Sequence, residues 1–230
     1  MFNPVKKTKY IFSLLSFTFL FSAPVLLQAQ VSPTAAAERM KSFELRRQLQ
    51  SQSLLKEVPF RNAGPAIMSG RVVDVDVNPG NPNEFYVAYA TGGLWHTTNN
   101  GQSFTPIMDS LDMLFIGDIA VNWEKTTVGK GIKTTDRIIW VGTGEVNSSR
   151  SSYAGVGIYK TRDNGETWEY MGLPESHHIG KIQLHPTNEN IAWVAVLGHL
   201  YSPNKERGVY KTADGGKSWK QTLFIDDNTG

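Results

Sequence analysis

One octapeptide pattern occurs three times in this chain, each time directly after the same kind of short strand. Thr161-Arg162-Asp163-Asn164-Gly165-Glu166-Thr167-Trp168 and Thr212-Ala213-Asp214-Gly215-Gly216-Lys217-Ser218-Trp219 share the form Ser/Thr-x-Asp-x-Gly-x-Thr/Ser-aromatic. Thr97-Thr98-Asn99-Asn100-Gly101-Gln102-Ser103-Phe104 is a third copy, with Asn for Asp and Phe for Trp. The residue types are those of a hairpin turn. The Asp or Asn oxygen accepts backbone N–H bonds, the glycine takes a positive φ, and the aromatic packs over the hairpin. The key positions (Thr97, Asn99, Gly101, Phe104; Thr161, Asp163, Gly165, Trp168; Thr212, Asp214, Gly216, Trp219) are therefore read as structural, not catalytic.

The turns punctuate a longer repeat. Each unit opens with an alternating strand: Asp74 to Pro79, Asp118 to Trp123, Lys181 to Pro186. An aromatic followed by small core residues comes next, as Tyr86-Val87-Ala88, Trp140-Val141-Gly142 and Trp193-Val194-Ala195. The third strands end as Leu94 to Thr97, Ile158 to Thr161 and Val209 to Thr212. Spacings of 64 and 51 residues between octapeptides, with four short strands per unit, predict an all-β chain of β-propeller blades. The expected blades are approximately 64–107, 116–173 and 179–230, within a partial propeller over 58–230. Propellers typically close with 4–8 blades, so three blades imply an N-terminal fragment whose partners include the remaining blades of a longer chain.

Blade topology sorts the loops. In an up-and-down blade with strands A to D, the B–C and D–A connections share one face, and the octapeptides lie on the other. The long loops, 143–157 and 197–208 (B–C) and 108–115 and 171–178 (D–A), all fall on the first face. They carry Glu145, Asn147, Arg150, Tyr153, Glu175, His177, His178, His199, Tyr201, Lys205 and Arg207. Long loops on a rigid scaffold concentrate binding residues. Asn147, Arg150, Tyr153, His177, His178, His199, Tyr201, Lys205 and Arg207 are the binding candidates. Glycoside hydrolysis needs two carboxyls roughly 5–9 Å apart, and Glu145 with Glu175 is the candidate pair. His177, His178 and His199 offer neutral imidazoles of the kind that hold Zn²⁺. Adjacent histidines on an extended loop do not usually converge on one ion, so no metal ligand is assigned, and no cofactor is implied.

The N-terminus reads as an export signal over 1–29. Lys6, Lys7 and Lys9 precede an apolar stretch from Ile11 to Phe21, and Leu27-Gln28-Ala29 offers a small residue at the cut. Ser22 and Pro24 interrupt the stretch before the ~20 residues of a membrane span, which argues for cleavage, export and no stable membrane anchor. Loss of those lysines leaves 20 basic against 21 acidic residues, a balance that does not favour nucleic acid. A helical leader follows over 30–57, with Ser32 as cap and Pro33 at the first helical position. Cysteine is absent, which excludes disulfides, thiol nucleophiles and Cys-ligated metals.

The octapeptide is the motif known as the Asp box or BNR repeat. With Gly64-Pro65-Ala66-Ile67-Met68-Ser69-Gly70-Arg71-Val72, Trp140-Val141-Gly142-Thr143-Gly144-Glu145 and Gly208-Val209-Tyr210-Lys211-Thr212, the chain resembles exported bacterial Asp-box propellers. These are similar to the N-terminal (VPS10) propeller of sortilin and to xyloglucan-cleaving glycoside hydrolases. The stretch that holds a catalytic Asp in those hydrolases reads Ala90-Thr91-Gly92-Gly93-Leu94-Trp95 here. The resemblance implies an exported propeller that binds extracellular glycan, with hydrolysis at Glu145 and Glu175 as its catalytic form. The alternative is a non-catalytic propeller that takes a peptide or protein, or serves as an assembly factor.

Overall fold

The computed structural model describes residues 32–58, 70–123, 137–147 and 152–230. The expected export signal, Arg150, and most of the Gly64–Val72 stretch lie outside these residues. Residues 33–230 form one compact unit, and no helix among the described residues is long and apolar enough to cross a membrane.

Among the described residues, twelve strands build three four-stranded antiparallel sheets, each in simple up-and-down order. The first holds β1 (Val72–Val77), β2 (Phe85–Tyr89), β3 (Gly93–Thr97) and β4 (Thr105–Pro106). The second holds β5 (Ile116–Asn122), β6 (Ile138–Thr143), β7 (Ile158–Thr161) and β8 (Glu169–Tyr170). β9 (Ile179–Leu184), β10 (Ala192–Val196), β11 (Gly208–Thr212) and β12 (Lys220–Leu223) make the third. The aromatic at the same register point of each second strand meets a cationic or imidazole side chain opposite. Tyr86 stacks on His96 at 4.3 Å, while Lys160 lies 4.1 Å above Trp140 and Lys211 5.2 Å above Trp193.

The core lies between the sheets. One cluster, with Tyr86, Leu94, Met108, Ile116, Ile119 and Ile139, joins the first sheet to the second. Another, with Trp140, Ile158, Ile179, Ile182 and Val194, joins the second to the third. Every residue of β6 is buried because its sheet is covered on both faces. β1 has only one covered face, and Val72, Val75 and Val77 remain about half exposed. Face-to-face stacking of successive four-stranded meanders is the blade arrangement expected of a β-propeller.

The innermost strands are also fastened to one another. Asp74 accepts the amide of Ile119 and Asp76 that of Val121. Asp118 accepts the amide of Ile182 at 2.7 Å and the ammonium of Lys181 at 2.8 Å.

The octapeptides form turns with matching hydrogen bonds. Thr161 Oγ1 accepts the amide of Gly165, Asp163 Oδ1 accepts that of Thr167, and the Thr167 hydroxyl donates to Asp163 Oδ2. Thr212, Asp214, Gly216 and Ser218 repeat these bonds. Thr97, Asn99, Gly101 and Ser103 make the same set, with Asn99 Nδ2 donating to the Ser103 hydroxyl. Two successive residues take positive φ in each turn, not the glycine alone: Asn100 and Gly101, Asn164 and Gly165, Gly215 and Gly216.

The aromatic departs from the sequence expectation. The Trp168 indole leaves its own hairpin and donates to the carbonyl of Ile107, just past β4, and Trp219 donates to that of Met171, just past β8. Phe104 has no ring N–H and meets Phe85 edge-on at 6.0 Å.

One α-helix lies among the described residues, α1 (Ala36–Gln52), and it is shorter than the expected leader. It starts after Ala35, not at Ser32, and no side chain of its own caps it. The cap comes from Glu175, whose Oε1 accepts the Ala36 amide at 2.9 Å. Met40 and Phe43 pack against Met113, Val156 and Tyr159.

Candidate functional site

The B–C and D–A loops do meet on one face. The amide of Gly144 donates to Phe115, that of Gly155 to His177, and that of Leu197 to His178. These bonds tie the loops between blades to the loops within them. The octapeptides occupy the opposite end, where Asn100, Asn164 and Gly215 donate to Asn83, Arg137 and Asn190 of the A–B turns.

Around Glu175 the face becomes a shaped site. A short 3₁₀ turn, Pro174–Ser176, is flanked by Leu173 at φ 58° and His177 at φ 52°. Both are non-glycine residues in the sparsely populated positive-φ region. Beside the turn lies a cavity of about 160 Å³, lined by Leu173, Pro174, Glu175, Ser176, Val196, Glu206 and Tyr210. Its walls are mainly apolar, and two carboxylates belong to its lining.

Glu175 is half exposed and held from several sides. Besides capping α1, its Oε2 lies 3.6 Å from the Arg39 guanidinium and 3.7 Å from Nε2 of His177. Arg39 continues to the carbonyls of Pro174 and Gly155, fixing the first turn of α1 on both loops.

The histidines separate by role. His178 is buried, and its Nδ1 faces the Glu145 carbonyl at 2.7 Å. His177 is 6% exposed, and its Nε2 makes no hydrogen bond. Its ring meets that of half-buried His199 at 4.2 Å, with the planes 75° apart. Burial pushes His177 down to about 3, with help from Arg39 and His199. Burial takes His178 down to about 4, and His199 also falls below its usual range. All three imidazoles are thus neutral at pH 7.

The other sequence-predicted residues divide into buried, paired groups and surface groups. Glu145 is 0% exposed, with Oε1 paired to Arg71 and contacted by Asn147 Nδ2 at 3.3 Å. It does not line the cavity that Glu175 lines. Glu145 is thus ion-paired to Arg71, and the two carboxylates expected to work as a pair have different surroundings. Arg207 is buried and donates to the His199 carbonyl at 2.8 Å. Tyr153 is 48% exposed and stacks on Phe115. Tyr201 is 72% exposed, and Asn147 and Lys205 are exposed.

Leu173, Pro174, Val196 and Tyr210 were missed from sequence because they are apolar or sit at strand ends. Arg39 and Arg71 were missed because their partners are more than 70 residues away in sequence. The alternation of β10, with Ala192, Val194 and Val196 buried, is the one sequence signal that could have placed Val196 on the interior side.

No family model matches the chain. A segment of 78 residues is 38% identical to vacuolar protein sorting/targeting protein 10 of Kluyveromyces lactis, covering 31% of this chain and 4% of that protein. Among solved structures, an ancestral GH74 enzyme is similar at 22% identity and a TM-score of 0.46, over 68% of this chain and 19% of its own. YCF48 bound to D1 peptide is similar at 14% identity and 0.45, over 75% and 49%. The GH74 xyloglucanase from Xanthomonas campestris is similar at 16% and 0.41, over 66% and 21%. The chain thus spans less than half the length of each of these proteins.

Proposed function

We propose that this chain is the binding part of an exported Asp-box propeller, and that its loop-bearing face captures an extended segment of another protein without cleaving it. The cavity beside Glu175 is the observation that carries this reading. Leu173, Pro174, Val196 and Tyr210 suit the aliphatic stem of a long side chain, and the negative charge of Glu175 and Glu206 in the same lining would favour a cationic one. A peptide lysine or arginine has that chemistry. A sugar ring would call for a denser set of polar partners than these walls offer.

Hydrolysis finds less support. Two-carboxylate chemistry requires both groups to face the scissile bond, and Glu145 is buried and ion-paired. The 78-residue likeness to a protein named for sorting and targeting is in keeping with a protein ligand. Export rests on the sequence of residues 1–29.

The test presents the full chain with a positional-scanning peptide library, a glycan array and a reducing-end assay on xyloglucan. Capture of peptides with a lysine or arginine anchor is expected, weakened at least tenfold by Glu206→Lys, which sets like charges against each other. Binding confined to glycans would overturn the reading. So would reducing-end release that Glu175→Gln abolishes.

A further inference from the structure

The ring nitrogen of His177 poses a problem that the peptide reading does not touch. It is a buried polar atom with no hydrogen-bond partner, a costly state that native structures largely avoid. It also belongs to a residue with φ 52° and ψ −52°, a conformation that usually marks a local requirement. Glu175, His177 and His199 each offer one ligand atom, and these atoms all lie within 4.8 Å of one another.

We infer that Glu175, His177 and His199 form a binding site for a late first-row divalent metal ion, of which Zn²⁺ is the simplest case. Two imidazole nitrogens and one carboxylate oxygen are a usual donor set for Zn²⁺, with a fourth position left for water or an incoming ligand. Bonds of about 2.0–2.1 Å in a tetrahedron put ligand atoms about 3.3 Å apart. The Glu175–His177 edge, at 3.7 Å, is already close to that. The widest edge must contract further, which a turn of the half-buried His199 side chain toward Glu175 would supply.

The surroundings orient the donors. His199 Nδ1 lies 3.3 Å from the Ser202 hydroxyl, which leaves Nε2 for the metal when Nδ1 carries the proton. Glu175 Oε1 is fixed by the Ala36 amide, so Oε2 is the ligand oxygen. Arg39 opposes cation binding from 3.6 Å, and it keeps its carbonyl partners at Pro174 and Gly155 if it releases Glu175. His178 takes no part, because the ligand atoms that lie within 4.8 Å of one another are those of Glu175, His177 and His199. The donor set is therefore one carboxylate and two non-adjacent histidines, not the three histidines considered from sequence. This site does not depend on the peptide reading, and its readout uses no peptide.

The full chain is stripped with a chelator and titrated with Zn²⁺ against a chromophoric competitor. Separately, imidazole resonances of ¹⁵N-labelled protein are followed. One Zn²⁺ per chain is expected, with two of the five histidines shifting. His199→Gln and Glu175→Gln should each weaken uptake at least tenfold, while His185→Gln, on the opposite face, leaves it unchanged. Far-UV circular dichroism in chelator checks that each variant is folded. If one is not, the resonances of the unmodified chain decide the matter. No uptake at about 100 μM Zn²⁺, or uptake equally strong in folded His199→Gln, overturns the site.

Discussion

Burial raises the Asp118 carboxyl to about 7, even though Lys181 and the Ile182 amide both donate to it. An ordinary carboxyl titrates near 3.8, so the folded chain holds this proton more tightly than the unfolded one. The stability it contributes is complete below pH 3.8 and is lost as pH rises through about 7. Asp214 has the opposite sign. The Ser218 hydroxyl and amide, then the Thr212 hydroxyl, hold its carboxyl below the usual range. Its contribution is present above pH 3.8 and disappears as pH falls below that value. Denaturant midpoints measured from pH 3 to 8 should separate the two. Asp118→Asn gains on the unmodified chain as pH rises from 4 to 8. Asp214→Asn shows its largest deficit above pH 4 and a shrinking one below it. Asn99, which already makes the turn bonds with an amide, shows that Asn fits that position.

Among the elements, the octapeptide turn was the most legible part of the chain. Its Thr, Asp and Gly roles follow from residue chemistry, and the strand pattern ahead of it placed all three sheets. The destination of the tryptophan was hidden, because a sequence pattern within one hairpin cannot show that the ring crosses to its neighbour. The cap on α1 was hidden for the same reason. Ser32 reads as a cap locally, but the acceptor that stands at the helix start is Glu175, 139 residues away. Glu145 reads from sequence as one of a candidate carboxylate pair because it sits in a long loop, and nothing nearby in sequence announces Arg71 as its partner.

Two variants test these element-level contacts. Trp219→Phe keeps the ring but strands the Met171 carbonyl, and should cost about 1–2 kcal/mol in denaturant unfolding. Gly216→Ala should cost more, at least about 2 kcal/mol. Its φ is +100°, and a methyl there would meet Met171 Sδ at 2.8 Å and the Trp140 ring at 3.0 Å.

At the scale of the whole molecule, α1 acts as a strap across two blades. Arg47 and Arg46 hold Asp112 in the D–A loop of the first sheet, while Ala36 and Arg39 hold Glu175 in that of the second. Phe43→Asp puts a charge against Met113, Val156 and Tyr159. It should lower the melting temperature of the full chain by several degrees and increase binding of a hydrophobic dye. An unchanged melt would mean that the strap adds nothing to the stability of the blades.

At each blade boundary a set of contacts shares one property: they grip main-chain atoms. Trp168 and Trp219 reach back to the carbonyls of Ile107 and Met171, and Asp74 and Asp118 reach forward to the amides of Ile119 and Ile182. A peptide group is the same whatever side chain it carries, so these fasteners need no matching residue on the far side. Duplication, loss or exchange of a blade would therefore leave these main-chain fasteners usable, whatever residues the new neighbour carries.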